Sequence, residues 1–399
     1  MFLYSFLYTD SRFIKMLAIM PHLSSVFGGG DLGATIVDGL DTLYIMGLMD
    51  EFKEGRDWVD SDLSVFETTI RFIGGLLSCY ALTGDSMFKD KAAEVADALL
   101  PAFDTPTGLP YALINPASKY HWAGPNSILS EVGTLHMEFT YLSEVTGKDV
   151  YKKKVDRIRE VLYNIEKPGE LYPNYINPRT GQWGQSECPN LYSPSGLAYL
   201  AEIKYGRIFD EKMDHLSCFA GEFQGFTSNV HKQFSHKLTN TCHESYIRSD
   251  TKLGPEAFRF SGAVEARAQR NNEKVYLLRP ETFESYFILW RLTKQQKYRD
   301  WGWEAVQALE KNCRVEGGYT GLLNVYHATP QRDDVQQSFF LAETLKYLYL
   351  LFSDDNLLNL DEWVFNTEAH PFPVKGRNPL HRGVEKAVQP DSANDDNQL

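Results

Sequence analysis

Acidic and basic side chains on one predicted helix are the first candidates for chemistry in this sequence. Glu67, Arg71, Gly74 and Ser78 follow one another at helical spacing along one face of residues 64–83. The other faces of this run are apolar, so we expect a buried helix whose polar stripe lines an enclosed space. A carboxylate and a guanidinium in such a space form either a structural ion pair or part of a binding site. The stripe alone leaves both alternatives open.

Further glutamates occupy comparable positions on later predicted helices, namely Glu131, Glu138, Glu281, Glu284 and Glu343. Each lies roughly two to four turns before the end of its helix. If these helices form an inner wall, their carboxyl groups gather at one mouth of the fold. Carboxylates that share a pocket shift one another's pKa values, which is the condition for general acid and base catalysis. Any single one of them is more often structural, but together they predict a polar site.

Residues 365–373 form the third candidate, with the sequence FNTEAHPFP. Two phenylalanines bracket polar side chains that include Thr367 and Glu368, and two prolines exclude a helix. We expect an extended segment that inserts into a cavity, where its oxygen atoms hold an ion or a ligand. The alternative is a proline turn around a satisfied polar cluster.

Helical hairpins are the elements that must position these residues. Thr83, Thr146 and Thr293 each precede an aromatic residue by five positions, and glycine follows the first two, which is typical of a helix end. Helices are predicted before these corners at 64–83, 126–146 and 280–293, after them at 88–100, 151–165 and 298–309, and again at 336–352. Recurring hairpins indicate a solenoid or a closed α/α barrel, and the irregular spacing of the corners favours the barrel.

The middle of the chain is less regular. Residues 174–195 are predicted to form a long loop, and residues 212–218 to open a helix that contains His215. By default, we interpret His215 as a hydrogen-bonded core histidine. Residues 241–246 and 253–260 are interpreted as loops or helix starts with unexplained polar content.

Composition limits the class of protein. The chain has 399 residues, of which 43% are hydrophobic, so it can bury a large core. A net charge of −13 argues against nucleic acid and anionic membrane surfaces as partners. Five cysteines without a C-x-x-C motif do not identify the compartment. Asp10, Arg12 and Lys15 interrupt the apolar start of the chain, so no membrane anchor or signal peptide is predicted there.

Taken together, these segments resemble glycoside hydrolase family 47, the class I α-1,2-mannosidases that trim N-glycans, and are most similar to its animal Golgi members. The motifs that carry the resemblance are GATIVDGLDTL at 33–43, FETTIR at 66–71, SEVGTLHMEF at 130–139, KMDH at 212–215, LRPE at 278–281, FLAE at 340–343 and NTEAHP at 366–371. They occur in order between about residue 30 and about residue 374.

The resemblance implies an all-α fold of the (α/α)7 type, plugged by a C-terminal segment. The barrel domain would span residues 30–374, between an atypical segment 1–29 and a disordered tail 375–399. Calcium would be held by the side-chain and main-chain oxygens of Thr367, with waters and sugar hydroxyls completing the oxygen shell that this ion prefers. The substrate would be a high-mannose N-linked oligosaccharide in the lumen of the Golgi or endoplasmic reticulum, and the protein is expected to be a monomer.

The resemblance also implies roles for individual residues. Glu67 matches the proton donor, Glu281 the base that activates water, and His215 a position counted as catalytic. The matching substrate-binding positions are Arg71, Glu131, Arg279, Glu284, Phe339, Glu343 and Glu368. Cys218 and Cys242 match the family disulfide. Family members invert the anomeric centre, which requires two carboxyl groups roughly 6.5–9.5 Å apart.

One departure from the family concerns residues 186–199. The family has a helical hairpin between the segments that correspond to 185–192 and 200–206, and its Gly-Asp-Ser-(Phe/Tyr)-Tyr-Glu-Tyr motif carries a further catalytic aspartate. This chain has no counterpart, so we predict an internal deletion near 186–199. In addition, residues 1–27 match nothing where the family has a helix.

Two hypotheses about function follow. The first is a calcium-dependent inverting α-1,2-mannosidase, favoured by the presence of Glu67, Glu281 and Thr367. The second is a weakened or inactive relative that binds mannose glycans without cleaving them, favoured by the missing aspartate. An α/α-barrel isoprenoid enzyme is set aside, because residues 332–337 lack the last acid of its Asp-Asp-x-x-Asp cluster.

Overall fold

The structure, a computed structural model, describes residues 34–46, 63–114, 121–122, 126–166, 172–185, 190–204, 208–220, 229–261 and 264–383. The helices in these ranges are α1 (Ala34–Ile45), α2 (Val65–Thr83), α3 (Ser86–Leu99), α4 (Leu129–Thr134), α5 (His136–Thr146), α6 (Asp149–Asn164), α7 (Asn229–Ile247), α8 (Glu281–Thr293), α9 (Lys297–Asn312) and α10 (Lys346–Phe352). The predicted segment 1–29 and residues 384–399 of the predicted tail lie outside the described ranges.

Three of these helices form hairpins with the helix that follows them: α2 with α3, α5 with α6, and α8 with α9. The first helices also contact one another. Helix α1 packs against α2 and against a π-helical turn, Phe340–Leu345, that leads into α10, while α8 lies between α10 and α7. The helices before the corners therefore form the inner wall, as predicted. Among the described residues, α2 is the one helix long and apolar enough to cross a membrane. Of its apolar 18-residue stretch, 78% is buried inside the fold, as in a core helix.

The three corners share one hydrogen-bonded arrangement. The hydroxyl of Thr83 donates to the carbonyl oxygen of Cys79 (2.7 Å) and accepts from the backbone amide of Asp85 (3.1 Å). The equivalent contacts are made by Thr146 and Thr293. The residue after each threonine has positive φ, which glycine adopts without strain in the first two corners. The aromatic side chains five positions on are buried, which explains the repeat: Phe88, Tyr151 and Tyr298.

Short antiparallel strands occupy the region between α6 and α7 and the rims of the fold. The pairs are 63–64 with 113–114, 113–114 with 121–122, 127–128 with 175–176, 175–176 with 183–185, 190–192 with 198–200, 202–204 with 208–210, 212–214 with 257–259, and 314–315 with 318–319. The predicted long loop at 174–195 thus contains strands. Residues 212–218 form a strand followed by a 3₁₀ turn, His215–Phe219, and residues 241–246 belong to α7, so those predictions are wrong.

The predicted extended segment near the C-terminus is a β-hairpin. Strand Trp363–Phe365 pairs with Pro371–Pro373 in the register Trp363↔Pro373, and residues 366–370 form the turn. The second strand packs on α2. We call this element the C-terminal hairpin. It is the segment that the sequence places in a cavity, and its turn lies against the inner wall.

Residues 375–383 differ from the predicted disordered tail. Lys375 and His381 contact the carboxylate of Glu144 on α5, at 2.6 and 3.0 Å, and Asn378 is buried. These residues therefore have polar partners on helix α5.

Cys218 and Cys242 form a disulfide with a Cα–Cα distance of 6.0 Å. This confirms the pairing that the resemblance implied. The bond joins the 3₁₀ turn at 215–219 to α7, and both residues belong to a small apolar cluster that also contains Tyr199, Met213 and Phe258.

Removing the disulfide is expected to lower the free energy of unfolding by about 3 kcal/mol, because the bond closes a loop with a sequence separation of 24. The double variant Cys218→Ala/Cys242→Ala tests this by urea unfolding. The matched control is Cys79→Ala/Cys313→Ala, which truncates two buried free cysteines without breaking a bond. Equal losses in the two variants would contradict a contribution from the bond itself.

Candidate active site

Arg71 is the centre of a buried ion network at one end of the inner wall. Its Nε donates to Glu67 Oε2 (2.8 Å), and its Nη1 donates to Asp38 Oδ2 (2.7 Å) and to a carboxylate oxygen of Glu368. Ser338 Oγ lies 3.0 Å from Nη1 and donates to Asp38 Oδ2. The predicted stripe on α2 therefore faces α1 and the C-terminal hairpin, within a buried polar network.

Glu67 and Glu131 lie close enough to interact. Burial raises the pKa of Glu131, and the carboxylate of Glu67 raises it further. The Glu67 side chain is 30% exposed, more than the other acids bound to Arg71. Glu67 therefore borders the side of the network that is open to solvent.

The backbone departs from α-helical geometry within α2 and in the turn that leads into α10. Thr68–Ile73, which contains Arg71, and Phe340–Leu345, which contains Glu343, are both π-helical. Such segments re-aim side chains and are frequent at functional sites. The sequence offered no sign of either.

His215 and Glu281 form a second group. His215 Nε2 lies 2.9 Å from the hydroxyl of Tyr246 and 3.1 Å from Thr282 Oγ1, while Nδ1 lies 3.5 Å from Glu281 Oε2. Burial lowers the pKa of His215 to about 3, and the positive charge of Arg279 adds to this effect. The imidazole is therefore neutral at physiological pH and presents one nitrogen to the carboxyl group of Glu281.

Burial raises the pKa of Glu281 to about 7, although Arg279 acts in the opposite direction. A carboxyl group with a pKa near the working pH is suited to accept a proton during a reaction. This property distinguishes Glu281 from an ordinary surface glutamate.

Arg279 is fixed on two sides. Its Nε and Nη2 donate to the two carboxylate oxygens of Glu256 at 2.9 and 2.7 Å, and its guanidinium lies 5.5 Å from the ring centroid of Phe339. Glu256 was missed by the sequence analysis, although it falls in the segment 253–260 with unexplained polar content. Such a bidentate pair orients the guanidinium rigidly.

Glu343 connects the two groups. Burial raises its pKa well above the usual range, and the charges of Glu368, Glu284 and Glu281 raise it further. Glu284 accepts a hydrogen bond from the hydroxyl of Tyr347 (2.8 Å). The pKa of Glu368 is raised too, mainly by burial and despite Arg71. The structure thus brings the predicted acids into mutual contact or electrostatic range, although their individual roles remain predictions.

Thr367 lies at the exposed tip of the turn in the C-terminal hairpin. The turn is held by Asn366, whose Oδ1 accepts from the backbone amides of Glu368 (3.0 Å) and His370 (2.8 Å) and whose Nδ2 donates to Glu138 (2.8 Å). Thr367 is therefore carried on a turn that is hydrogen-bonded on both sides of it. Glu138 supports this turn from α5, and burial raises its pKa to about 7.

Three charged residues beneath the turn were also missed, Asp38, Asp41 and Lys346, which are paired with one another or with Arg71 and His370. Two aspartates three positions apart on an apolar helix, and a lone lysine in an apolar run, were the available signals. Neither indicates a partner, because the partners lie about 300 residues away in sequence.

Glycosyl hydrolase family 47 matches this chain over residues 16–191 and 189–374. The mannosyl-oligosaccharide alpha-1,2-mannosidase IA of Spodoptera frugiperda is 67% identical, over 96% of this chain and 67% of the relative. The 1,2-alpha-mannosidase IB of Homo sapiens is 48% identical, over 90% of this chain and 66% of the relative. The chain spans about two thirds of the length of these relatives.

A solved structure, an alpha-1,2-mannosidase from Trichoderma reesei, is similar with a TM-score of 0.78 at 24% identity, covering 86% of this chain and 90% of that chain. This likeness confirms the predicted all-α fold, a barrel of the (α/α)7 type.

The alignment with the Spodoptera relative contains more positions than the part of this chain that it covers. The two stretches matched to the family meet at residues 189–191. The alignment with the Spodoptera relative runs over 446 positions, whereas 96% of 399 residues is about 383, so roughly 60 positions of that relative have no counterpart here.

Proposed function

Because this chain belongs to glycosyl hydrolase family 47, we propose that it removes α-1,2-linked mannose from high-mannose N-glycans by a calcium-dependent, inverting hydrolysis. The observation that carries the proposal is the pair of carboxyl groups in different surroundings. Glu67 is part-exposed and bound to Arg71. Glu281 is buried beside neutral His215, and the pKa of Glu281 is about 7. Two carboxyl groups in unlike environments are the usual arrangement for an acid and a base. The choice of Glu67 as acid and Glu281 as base follows the family resemblance and not the pKa values.

In the proposed reaction Glu281 accepts a proton from a water molecule as that water attacks the anomeric carbon. Glu67 donates a proton to the glycosidic oxygen as its bond to the anomeric carbon breaks. His215 Nδ1 faces Glu281 and orients its carboxyl group. Arg71 holds Glu67, and Arg279, locked by Glu256, is available to bind sugar hydroxyls.

The residues present suit a calcium ion. Among the described residues, no group of three His, Cys, Asp or Glu side chains is arranged as a metal cluster. Calcium does not require one, because it accepts hydroxyl, carbonyl and water oxygens. Thr367 carries such oxygens. Burial and neighbouring carboxylates raise the pKa values of Glu343 and Glu368, which means that their charged forms are disfavoured, and a nearby cation would reduce this cost. When bound, calcium would anchor sugar hydroxyls by direct coordination.

Calcium removal provides the test. Treating the purified protein with a chelator is expected to reduce mannose release from a high-mannose N-glycan by at least about tenfold, and added Ca²⁺ should restore it. Mg²⁺ should not, because it retains its own water shell. Unchanged release in the chelator would contradict calcium dependence, and an initial product with retained anomeric configuration would contradict inversion.

A second candidate function is mannose-glycan binding without cleavage. The resemblance places the family's further aspartate in a hairpin between the segments that correspond to 185–192 and 200–206. Its motif has no counterpart in this sequence, and the two stretches matched to the family meet at residues 189–191, which supports this alternative. Binding of the same glycan in calorimetry with no mannose release would favour this alternative. For either function we propose a secretory-pathway lumen, where the Cys218–Cys242 bond would be maintained.

A further inference from the structure

Four fully buried side chains with ionisable groups meet where the turn of the C-terminal hairpin packs on the inner wall: Asp38, Asp41, Lys346 and His370. They come from three elements that are far apart in the chain, namely α1, α10 and the hairpin. None of them is needed in the proposed reaction. Buried charges are expensive unless they are paired, so their presence calls for a structural reason.

Lys346 connects α10 to both other elements. Its Nζ donates to Asp41 Oδ1 on α1 (2.8 Å) and to the backbone carbonyl of Ala369 in the turn (2.8 Å). Ala369 has a φ of 58°, a left-handed conformation that is strained for a residue with a Cβ. The lysine therefore fixes the orientation of a turn that would not adopt this conformation by itself.

His370 connects the hairpin to α1 at two points. Its Nδ1 lies 2.7 Å from Asp41 Oδ2, and its Nε2 lies 3.5 Å from Asp38 Oδ1. Burial alone would lower the pKa of His370, but the two aspartates raise it above its usual range. The ammonium group of Lys346 and the imidazole of His370 thus face two carboxylates across three elements.

The same network continues to the proposed acid. Asp38 accepts from Arg71, and Arg71 holds both Glu67 on α2 and Glu368 on the turn. The hairpin also approaches the α2 backbone closely, since a Cβ on Gly74 would lie 2.5 Å from Asn366 Nδ2. A shift of the turn would therefore displace Glu368 directly and Glu67 on α2 through Arg71.

We propose that Asp38, Asp41, Lys346 and His370 are positioning residues. They hold the turn 366–370 in one position against α1 and α2, and this keeps Thr367, Glu368 and Glu67 in fixed positions relative to one another. The roles of Thr367 and Glu67 in this statement rest on the proposed function. The fixed position of the turn does not rest on the proposed function, and hydrogen exchange at the turn amides measures it separately.

The first variant is Lys346→Met, which keeps the length of the side chain and removes its charge. We expect hydrogen exchange at the amides of Glu368 and His370 to accelerate by at least about tenfold, and the affinity for Ca²⁺ to fall about 10–100-fold, as for other groups that orient metal ligands. The control is Arg291→Met. Arg291 is a buried cation on α8 that donates to backbone carbonyls at 350–358, on another part of the fold.

Gly74→Ala is the second variant, in case Lys346→Met does not fold. It moves the turn by steric contact and leaves every charge in place. Its control, Gly302→Ala on α9, introduces a similar contact with Leu351 (2.4 Å) away from the hairpin. We expect Gly74→Ala to accelerate exchange at the turn and weaken Ca²⁺ binding, and Gly302→Ala to do neither.

Wild-type exchange at the turn and wild-type Ca²⁺ affinity in both Lys346→Met and Gly74→Ala would overturn the positioning role. So would equal changes in the two controls, because these would reflect general stability. If the wild-type protein bound no Ca²⁺, the calcium part of the proposed function would fail, whereas the exchange of the turn amides would still decide the positioning role.

Discussion

Glu281→Gln is expected to lower kcat by about 10²–10⁴-fold, the usual contribution of a single acid or base, while leaving the protein folded. The amide has nearly the shape of the carboxyl group but cannot accept a proton from water. Mannose release under saturating glycan measures the effect. Glu304→Gln is the control, because Glu304 is an exposed carboxylate on the outer helix α9.

The same variant should be more stable than the wild type at high pH. The folded-state pKa of Glu281 is about 7, above its usual value of 4.5, because burial disfavours the charge. The folded protein therefore keeps this proton longer than the unfolded chain does, and the stability falls as pH rises from about 4.5 through about 7. The Glu281→Gln substitution removes this loss, so the variant should gain at most about 3 kcal/mol above pH 7 and nothing below pH 4.5.

The two readouts together identify the role of Glu281. A catalytic base predicts lost turnover with unchanged or increased stability, whereas a structural glutamate predicts a loss of both. Wild-type turnover in Glu281→Gln would remove this residue from the mechanism. In the wild type, kcat/KM should also rise with pH through about 7, since only the ionised carboxylate accepts a proton.

Local features of the fold could be predicted from the sequence, because their causes are local. The Thr83 corner repeats a hydrogen-bond pattern that spans only a few residues, and the Glu67–Arg71 contact follows from helical spacing. Helix α7 was not recognised because its apolar face is weak and its polar residues resemble a loop. The Asp41–Lys346 pair could not be predicted, since it depends on how α1 and α10 pack.

The region between α6 and α7 shows the same limit. Composition predicts a loop at 174–195, and the structure has short two- and three-residue strands there rather than a helical hairpin. Inner and outer helices elsewhere cover one another, as α3 covers α2. In the described part of the chain, the wall is thus built from short strands between α6 and α7, next to strand 212–214 and the 3₁₀ turn that carries His215.

Restoring the family's helical hairpin at residues 189–191 is expected to raise turnover by orders of magnitude, because the insertion would supply a further carboxylate, and one acid–base group contributes about 10²–10⁴-fold. It would also close the wall and exclude water, which strengthens the electrostatic interactions around Glu67 and Glu281. The chimera would carry the roughly 60 residues of the Spodoptera relative that have no counterpart here. Mannose release from the same high-mannose glycan measures the gain.

Two controls separate the carboxylate from the wall. A chimera in which the inserted aspartate is replaced by asparagine keeps the wall and lacks the acid, so it should recover stability but little turnover. A glycine–serine segment of the same length should recover neither, because it cannot bury an apolar face. Equal turnover in the natural chain and in the full chimera would mean that residues already present, with Glu281 as base and Glu67 as acid, suffice for the reaction.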